Sequence, residues 1–359
     1  MLSILLLCLA GGYCALMLFV ATITRKLKVS PERNDVSISV IVCARNEAQR
    51  LQPLLESLTR LEYPTDQYEI ILVDDDSSDK TQTLMQTYAQ RFPHWHVLRH
   101  IKQPGEPQGK KAALTMGISH AKGEIILTTD ADCQVPVGWL KSMAGYFEPE
   151  VGMVLGFAIV KSGQSLFERL QQFGCVCEAT VAAVSAYYQR PTHSNGQNLA
   201  YRKAIFTEVG GYTEGAQISS GDDFFLSKAI QTRSKWRFAF NISPSSFVTT
   251  LPEKWGRQFI HQQLRRNGKA FYLPPLHFFL ASWVFLFHVG LGVALLMAPA
   301  LFGSLVVLKF LVELVAFRAG AKLFGQTILL RDFPIFWVLY PMQIIGFAVL
   351  GSFQRYRWK

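Results

Sequence analysis

The chain has 359 residues, half of them hydrophobic, with a formal net charge of +10 and six cysteines. That length allows one large catalytic domain plus an appendage, with no internal repeat or low-complexity tract. The basic residues gather beside apolar segments, which favours anionic lipid on a cytoplasmic leaflet over nucleic acid. Cys8, Cys14, Cys43, Cys133, Cys175 and Cys177 contain no Cys-x-x-Cys pair, so they read as small buried hydrophobes and exclude a zinc or disulfide framework.

The first element is an uncharged apolar run, Leu2 to Thr24, long enough to span a bilayer and stopped by Arg25-Lys26-Leu27-Lys28. A cleaved signal peptide carries its positive charge ahead of the apolar core, so residues 1–24 are expected to be an uncleaved anchor with its basic side cytoplasmic. From residue 25 to about 250, strand and helix patterns alternate. Strands are expected at Val36–Cys43, Tyr68–Val73, Trp95–His100 and Glu124–Thr129, with helices at Asn46–Arg60, Asp79–Arg91 and Lys110–Ala121. This predicts an α/β domain with a mostly parallel mixed sheet, whose ligands bind beyond the carboxyl ends of the strands. No Gly-x-Gly-x-x-Gly or Walker loop is present, which disfavours the usual dinucleotide and P-loop readings.

Gln164 to Tyr188 reads as a long helix, and Asn195-Gly196-Gln197-Asn198 as a polar turn. Trp255 to Phe271 has a basic stripe of Arg257, His261, Arg265 and Lys269 opposite Trp255, Phe259, Ile260 and Leu264. Residues 251–272 are therefore expected to form an amphipathic helix at the membrane interface. Residues 273–359 hold further apolar segments: Leu276–Ala298, Ala300–Phe317 and Ile335–Phe353. Lys309 and Glu313 lie four apart on one helical face and read as a structural pair. Basic residues flank the last segment on both sides, so it is expected to re-enter or lie shallowly, leaving the C-terminus cytoplasmic.

Two acidic motifs carry the chemistry. In Thr129-Asp130-Ala131-Asp132 the carboxylates are one residue apart at a strand end, so they leave it on one side, an arrangement suited to Mg²⁺ or Mn²⁺ bound together with a diphosphate. In Gly221-Asp222-Asp223 two carboxylates open an apolar helix, where capping alone would require only one.

The order of these motifs resembles family 2 glycosyltransferases with the GT-A fold, of the bacterial membrane-anchored type. The matching pieces are Val40 to Glu47, Val73 to Asp79, Gly109 to Leu114, Thr129 to Asp132, Gly221 to Asp223, and Gln263-Leu264-Arg265-Arg266. The resemblance implies a nucleotide-sugar-binding domain in which Asp75 accepts from the nucleobase and Ala44 and Glu47 line the pocket. It implies that Lys110, or else Lys111, approaches the diphosphate, that Arg266 adds positive charge near it, and that Gln263 also takes part in nucleotide-sugar binding. Asp130 and Asp132 would hold Mg²⁺ or Mn²⁺, Asp223 would be the general base, and Asp222 would tune that base or contact the acceptor. The implied reaction is an inverting displacement at the anomeric carbon, on a membrane lipid or saccharide acceptor, by a multi-pass inner-membrane enzyme with a cytoplasmic catalytic domain. Asn267 follows Arg266 where the family usually carries a sugar-stacking Trp, which favours one or a few additions over processive polysaccharide synthesis. A membrane nucleotidyltransferase or a non-catalytic scaffold fits the second acidic motif and the Gln263/Arg266 pair less well.

Overall fold

A computed structural model describes residues 2–351 except 108, 162, 164, 255 and 268–271, and leaves aside the side chains of 257, 258, 265–267, 344, 345 and 348–351. Trp255, Lys269 and the basic C-terminal residues Arg355, Arg357 and Lys359 therefore lie outside the described residues. In chain order the elements begin with α1 (Leu2–Thr24), β1 (Ile38–Ala44), α2 (Gln52–Leu58), β2 (Tyr68–Asp75), α3 (Thr81–Ala89) and β3 (Trp95–His100). There follow α4 (Lys111–His120), β4 (Ile125–Asp130), β5 (Cys133–Gln134), α5 (Trp139–Ala144), β6 (Val151–Gly156), β7 (Ala158–Val160) and α6 (Leu166–Tyr187). The remainder are β8 (Leu199–Arg202), α7 (Lys203–Glu208), α8 (Asp222–Arg233), β9 (Arg237–Asn241), β10 (Val248–Thr250), α9 (Arg257–Asn267), α10 (Pro275–Met297), α11 (Pro299–Leu323) and α12 (Phe333–Gly351).

These elements group into two compact units, one of Lys28–Ser162 with Ser185–Pro252, the other of Met1–Leu27, Gly163–Val184 and Glu253–Arg355. Most of α6, inside the 25–250 block expected from the sequence, thus groups with the terminal helices.

The first unit is built on a seven-stranded sheet of order β3-β2-β1-β4-β8-β6-β9. β1, β2, β3 and β4 are parallel, and their runs of Val, Ile and Leu are buried along most of β1, β2 and β4, as helices on both faces require. β8 runs antiparallel to β4 and β6, which makes the sheet mixed. Two close approaches fix helix α4 beside it. A Cβ on Gly117 would press on Ile41, and one on Gly123 would collide with the Ser39 backbone. Leu54, Leu55 and Leu58 of α2 and Trp139, Leu140 and Met143 of α5 bury themselves with Val40, Val42 and Leu72 in the main core. A second sheet, β5-β10-β7, follows the β4 carboxylates. The parallel register aligns the strand ends: Ala44 faces Asp74, Cys43 faces Asp130, and Asp75 faces His100.

In the second unit, α1, α10 and α11 are long and apolar enough to cross a membrane. Tyr13 stacks on Phe287 at 4.4 Å and donates its hydroxyl hydrogen to Glu313. Glu313 also accepts from Lys309 Nζ at 2.7 Å, and that ammonium lies 4.5 Å from the Trp337 ring centroid. The expected Lys309–Glu313 pair is present and saturated. α12 continues as a helix through Pro341. Phe259 and Leu264 of α9 are buried, as is Gln263, which accepts from Gln343 Nε2 at 3.4 Å. The cysteines are all free thiols, and they range from buried Cys133 to Cys8, which is exposed on α1 contrary to expectation.

Candidate active site

The crevice at the carboxyl ends of β1, β2 and β4 is assembled from loops that brace one another. After β1 the chain does not enter a helix at Asn46 as expected. Asn46 has a φ of 55°, its N–H donates to Ser77 Oγ at 3.0 Å, and its Oδ1 accepts from Ser78 N–H at 2.9 Å. Glu47 N–H donates to Thr81 Oγ1 at 2.9 Å and Ala48 N–H to Asp79 Oδ2 at 3.2 Å. The loops carrying Glu47 and Asp75 are thereby locked together, and helix α2 is delayed to Gln52.

The two adjacent lysines have different fates. Lys111 is buried, with its Nζ on the carbonyl oxygens of Ile218 and Ser220, and so fastens its segment to the loop before α8. Gly109, at φ +73°, makes that docking possible, because a Cβ there would collide with the Ser219 carbonyl. Lys110 is consequently directed into the crevice, where its Nζ lies 2.7 Å from Asp130 Oδ1 and 3.5 Å from Asp222 Oδ2. Burial alone would lower its pKa. The charges of Asp130 and Asp222 outweigh that effect and hold the ammonium well above the usual lysine range.

Asp222 and Asp223 open α8 behind Gly221, which adopts the left-handed conformation as the N-cap, and neither carboxylate caps the helix from that position. Asp223 instead accepts from Phe224 N–H at 2.8 Å and from Gly196 N–H at 3.1 Å. Gly196 belongs to the polar turn 195–198, which acts as a bracket across the site. Thr129, next to Asp130, donates from Oγ1 to Gln197 O at 2.9 Å. Asn198 is fully buried and accepts from Trp139 Nε1 at 3.0 Å while donating to Phe157 O and Ser246 O. One turn therefore fixes the strand carrying Asp130 against the base candidate Asp223. Sequence reading identified this segment only as a turn.

Asp132 is half-buried. Desolvation first, then the charges of Asp130 and Glu47, push its carboxyl up to about 6, opposed by Arg50. Such a like-charge cluster is what a divalent cation relieves, so the donor set fits Mg²⁺ or Mn²⁺. Among the described residues no group of three or more His, Cys, Asp or Glu side chains is placed to hold an ion alone. An ion held by Asp130 and Asp132 would draw its other ligands from a diphosphate and water, as Mg²⁺ commonly does.

Ala44 is buried at the end of β1, and Asp75 at the end of β2 meets His100, a partner that sequence reading missed. The crevice thus brings together Lys110, Asp130, Asp222 and Asp223, with Glu47 acting on Asp132. Gln263 and Arg266 lie on α9, in the other unit, and the side chains of Arg266 and Asn267 lie outside the description.

Comparison with known proteins agrees with this geometry. Residues 39–213 match the profile of glycosyl transferase family 2. The chain is 27% identical over 188 residues to the probable glycosyltransferase YdaM of Bacillus subtilis, covering 50% of this chain and 43% of that protein. It is 26% identical over 230 residues to the beta-monoglucosyldiacylglycerol synthase of Synechocystis sp., covering 61% and 45%. The chain thus spans under half the length of these relatives. The solved structure of the mannosyltransferase PcManGT from Pyrobaculum calidifontis, in complex with GDP-Man and Mn²⁺, shares the fold with a TM-score of 0.61 at 19% identity, covering 93% of this chain and 98% of that one. A mixed α/β sheet with the strand-end crevice, the family match over residues 39–213 and this shared architecture lead to one conclusion: the chain carries a domain of the GT-A fold, and residues 39–213 of it match glycosyl transferase family 2.

Proposed function

We propose that the protein is an inverting, metal-dependent glycosyltransferase that moves a sugar from a nucleoside-diphosphate sugar to a membrane lipid or lipid-linked saccharide. The observation that carries this reading is Lys110, which joins Asp130 of the strand-end motif to Asp222 at the start of α8 and so sets the two acidic motifs on one crevice. Asp75, Ala44 and Glu47 take the nucleoside side. Asp130 and Asp132 would hold Mg²⁺ or Mn²⁺, which neutralises charge on the leaving diphosphate when bound. Lys110 adds fixed positive charge beside it, while Arg266 is proposed to add charge to the leaving group and Gln263 to take part in nucleotide-sugar binding.

Asp223 accepts the proton of the acceptor hydroxyl. The hydroxyl oxygen forms a bond to the anomeric carbon from the face opposite the diphosphate, and the bond from that carbon to the phosphate oxygen breaks with its electron pair leaving on the diphosphate. The product has inverted configuration and no enzyme nucleophile is involved. Asp222, 3.5 Å from Lys110, tunes that base or contacts the acceptor.

A lipid-type acceptor is supported by the three helices long and apolar enough to cross a membrane and by a relative named as a diacylglycerol-lipid synthase. The basic cluster Arg25–Lys28 supports a cytoplasmic catalytic domain, at the inner membrane of a bacterial cell. The test is product size. Membranes containing the protein are incubated with labelled donor, and organic-soluble material is separated from high-molecular-weight material. Label in the organic phase is expected, and label confined to long polymer would overturn the acceptor assignment in favour of processive synthesis.

A further inference from the structure

Asp75 ends β2 and His100 ends β3, and the parallel register sets the two directly opposite. His100 Nδ1 lies 2.6 Å from Asp75 Oδ1, and Nε2 lies 3.0 Å from Glu106 Oε2. Glu106 Oε2 also accepts from Gln103 N–H at 2.9 Å, which folds the segment after β3 back over the ring. Both Asp75 and His100 are almost wholly buried, at 4% and 3% exposure. The imidazole is gripped at both nitrogens and cannot swing away from Asp75 without also releasing Glu106. Asp75 Oδ2, by contrast, accepts from no side chain or backbone group among the described residues. Asp74 cannot supply a second oxygen beside it, because successive residues of a strand point to opposite faces.

An uncommitted carboxylate offers two acceptor oxygens side by side. That pair matches guanine, whose N1–H and N2–H₂ donors are also side by side. Uracil presents one donor, N3–H, flanked by two carbonyl oxygens. A carboxylate with both oxygens free would set one of them against a uracil carbonyl, lone pair to lone pair. With Oδ1 already committed to His100, Asp75 offers a base one acceptor, Oδ2.

From this geometry we infer that the site selects uridine over guanosine diphosphate donors, and that His100, held by Glu106, is the positioning residue that makes the selection. The inference rests on the nucleotide-sugar reading above and deepens it by naming the base. His100 touches neither sugar nor diphosphate in this scheme. It acts by fixing which oxygen of Asp75 remains available.

The test is calorimetry on the full chain in detergent with Mn²⁺, titrated separately with UDP and GDP. The wild-type protein is expected to bind UDP at least about tenfold more tightly, the size of one well-made against one unsatisfied buried hydrogen bond. In His100→Leu, which releases Oδ1, the preference is expected to shrink about fivefold or more, chiefly through weaker UDP binding. His100→Gln, which keeps an N–H donor, is expected to retain most of the preference, and the acceptor KM is expected to stay constant across the series while the donor KM moves. Wild-type binding of GDP as tight as that of UDP overturns the inference, whatever the variants do. An unchanged preference in a folded His100→Leu protein overturns the role of His100. Binding of neither nucleotide overturns the nucleotide-sugar reading itself, an outcome separate from the first two.

Discussion

Two paired lysines, one in each unit, show how differently a protein can hold a charge. Lys309 pairs with Glu313 one turn along the same helix, the second carboxylate oxygen takes the Tyr13 hydroxyl, and the ammonium lies over Trp337. Each of these partners answers another, and the cluster has no surplus charge. Lys110 draws its carboxylates from two distant segments, and Asp130, Asp132, Asp222, Asp223 and Glu47 outnumber Lys110 and Arg50 around it. A closed set of this kind ties helices together. A set gathered by long-range contacts and left with excess negative charge fits the cation and bound anion proposed for this crevice.

This contrast is sharpest in the two lysine-to-methionine variants. Lys110→Met is expected to lower turnover by roughly 10²–10³-fold, because it removes fixed positive charge beside the leaving diphosphate, and to lower the unfolding temperature as well, because it leaves Asp130 and Asp222 without their ammonium. Lys309→Met is expected to affect stability alone. It leaves the half-buried Glu313 without its ammonium, so stability in detergent falls by about 3 kcal/mol while the specific activity of the folded fraction persists. Adding Glu313→Gln to it should recover part of that loss. Steady-state turnover and thermal unfolding on the same preparations separate the two patterns, and a Lys309→Met protein that is stable but inactive would break the comparison.

A smaller effect is expected at the hinge that aims Lys110. Gly109→Ala places a Cβ against the Ser219 carbonyl at a positive φ, so it displaces Lys110 and is expected to lower turnover about tenfold to a hundredfold. Gly105→Ala also has a positive φ, but it faces open space and is expected to retain most activity. Turnover of the two variants under one set of conditions is the check.

The smallest effect is a matter of pH. Asp132 is raised from its ordinary 3.8 to about 6, so the folded protein binds the extra proton between those values, and stability falls as pH rises from about 3.8 to about 6 and stays at the lower level above. Two consequences follow in opposite directions. Mn²⁺ must displace a proton below about pH 6, so apparent metal affinity is expected to weaken by up to tenfold per unit there. Without metal at pH 8, Asp132→Asn is expected to unfold at a higher temperature than wild type, with a gain bounded by about 3 kcal/mol. Calorimetric melts with and without Mn²⁺ across pH 5 to 8 read both, on the order of the shift just used.

The strand ends were legible in the sequence because buried parallel strands need continuous β-branched and aliphatic runs, and each such run stops at a polar motif: Ala44, Asp75, Asp130. The choice between Lys110 and Lys111 was not legible. Adjacent residues share every local pattern, and only the contact of Lys111 with the 218–220 loop distinguishes them. The late start of α2 was hidden for the same reason, since Asn46 is held out of a helix by Ser77 and Ser78 from a different loop. The turn 195–198 was legible as a turn, but its grip on Asp223 and Thr129 depends on residues far away in sequence. His100 left a faint signal. It ends its strand as Asp75 does, and aligning the two strand ends would have paired them.

In the proposed mechanism one crevice divides its labour between donor binding at Asp130 and Asp132 and proton removal at Asp223. The most direct measurement pairs single-turnover transfer with Mn²⁺-dependent calorimetry of the nucleoside diphosphate on Asp223→Asn and Asp132→Ala. Asp223→Asn is expected to lose transfer by about 10³-fold or more while nucleotide binding stays within about twofold of wild type. Asp132→Ala is expected to lose both transfer and the Mn²⁺-dependent part of binding. An Asp223→Asn protein that keeps transfer near the wild-type rate, or one that loses nucleotide binding, would contradict the assignment.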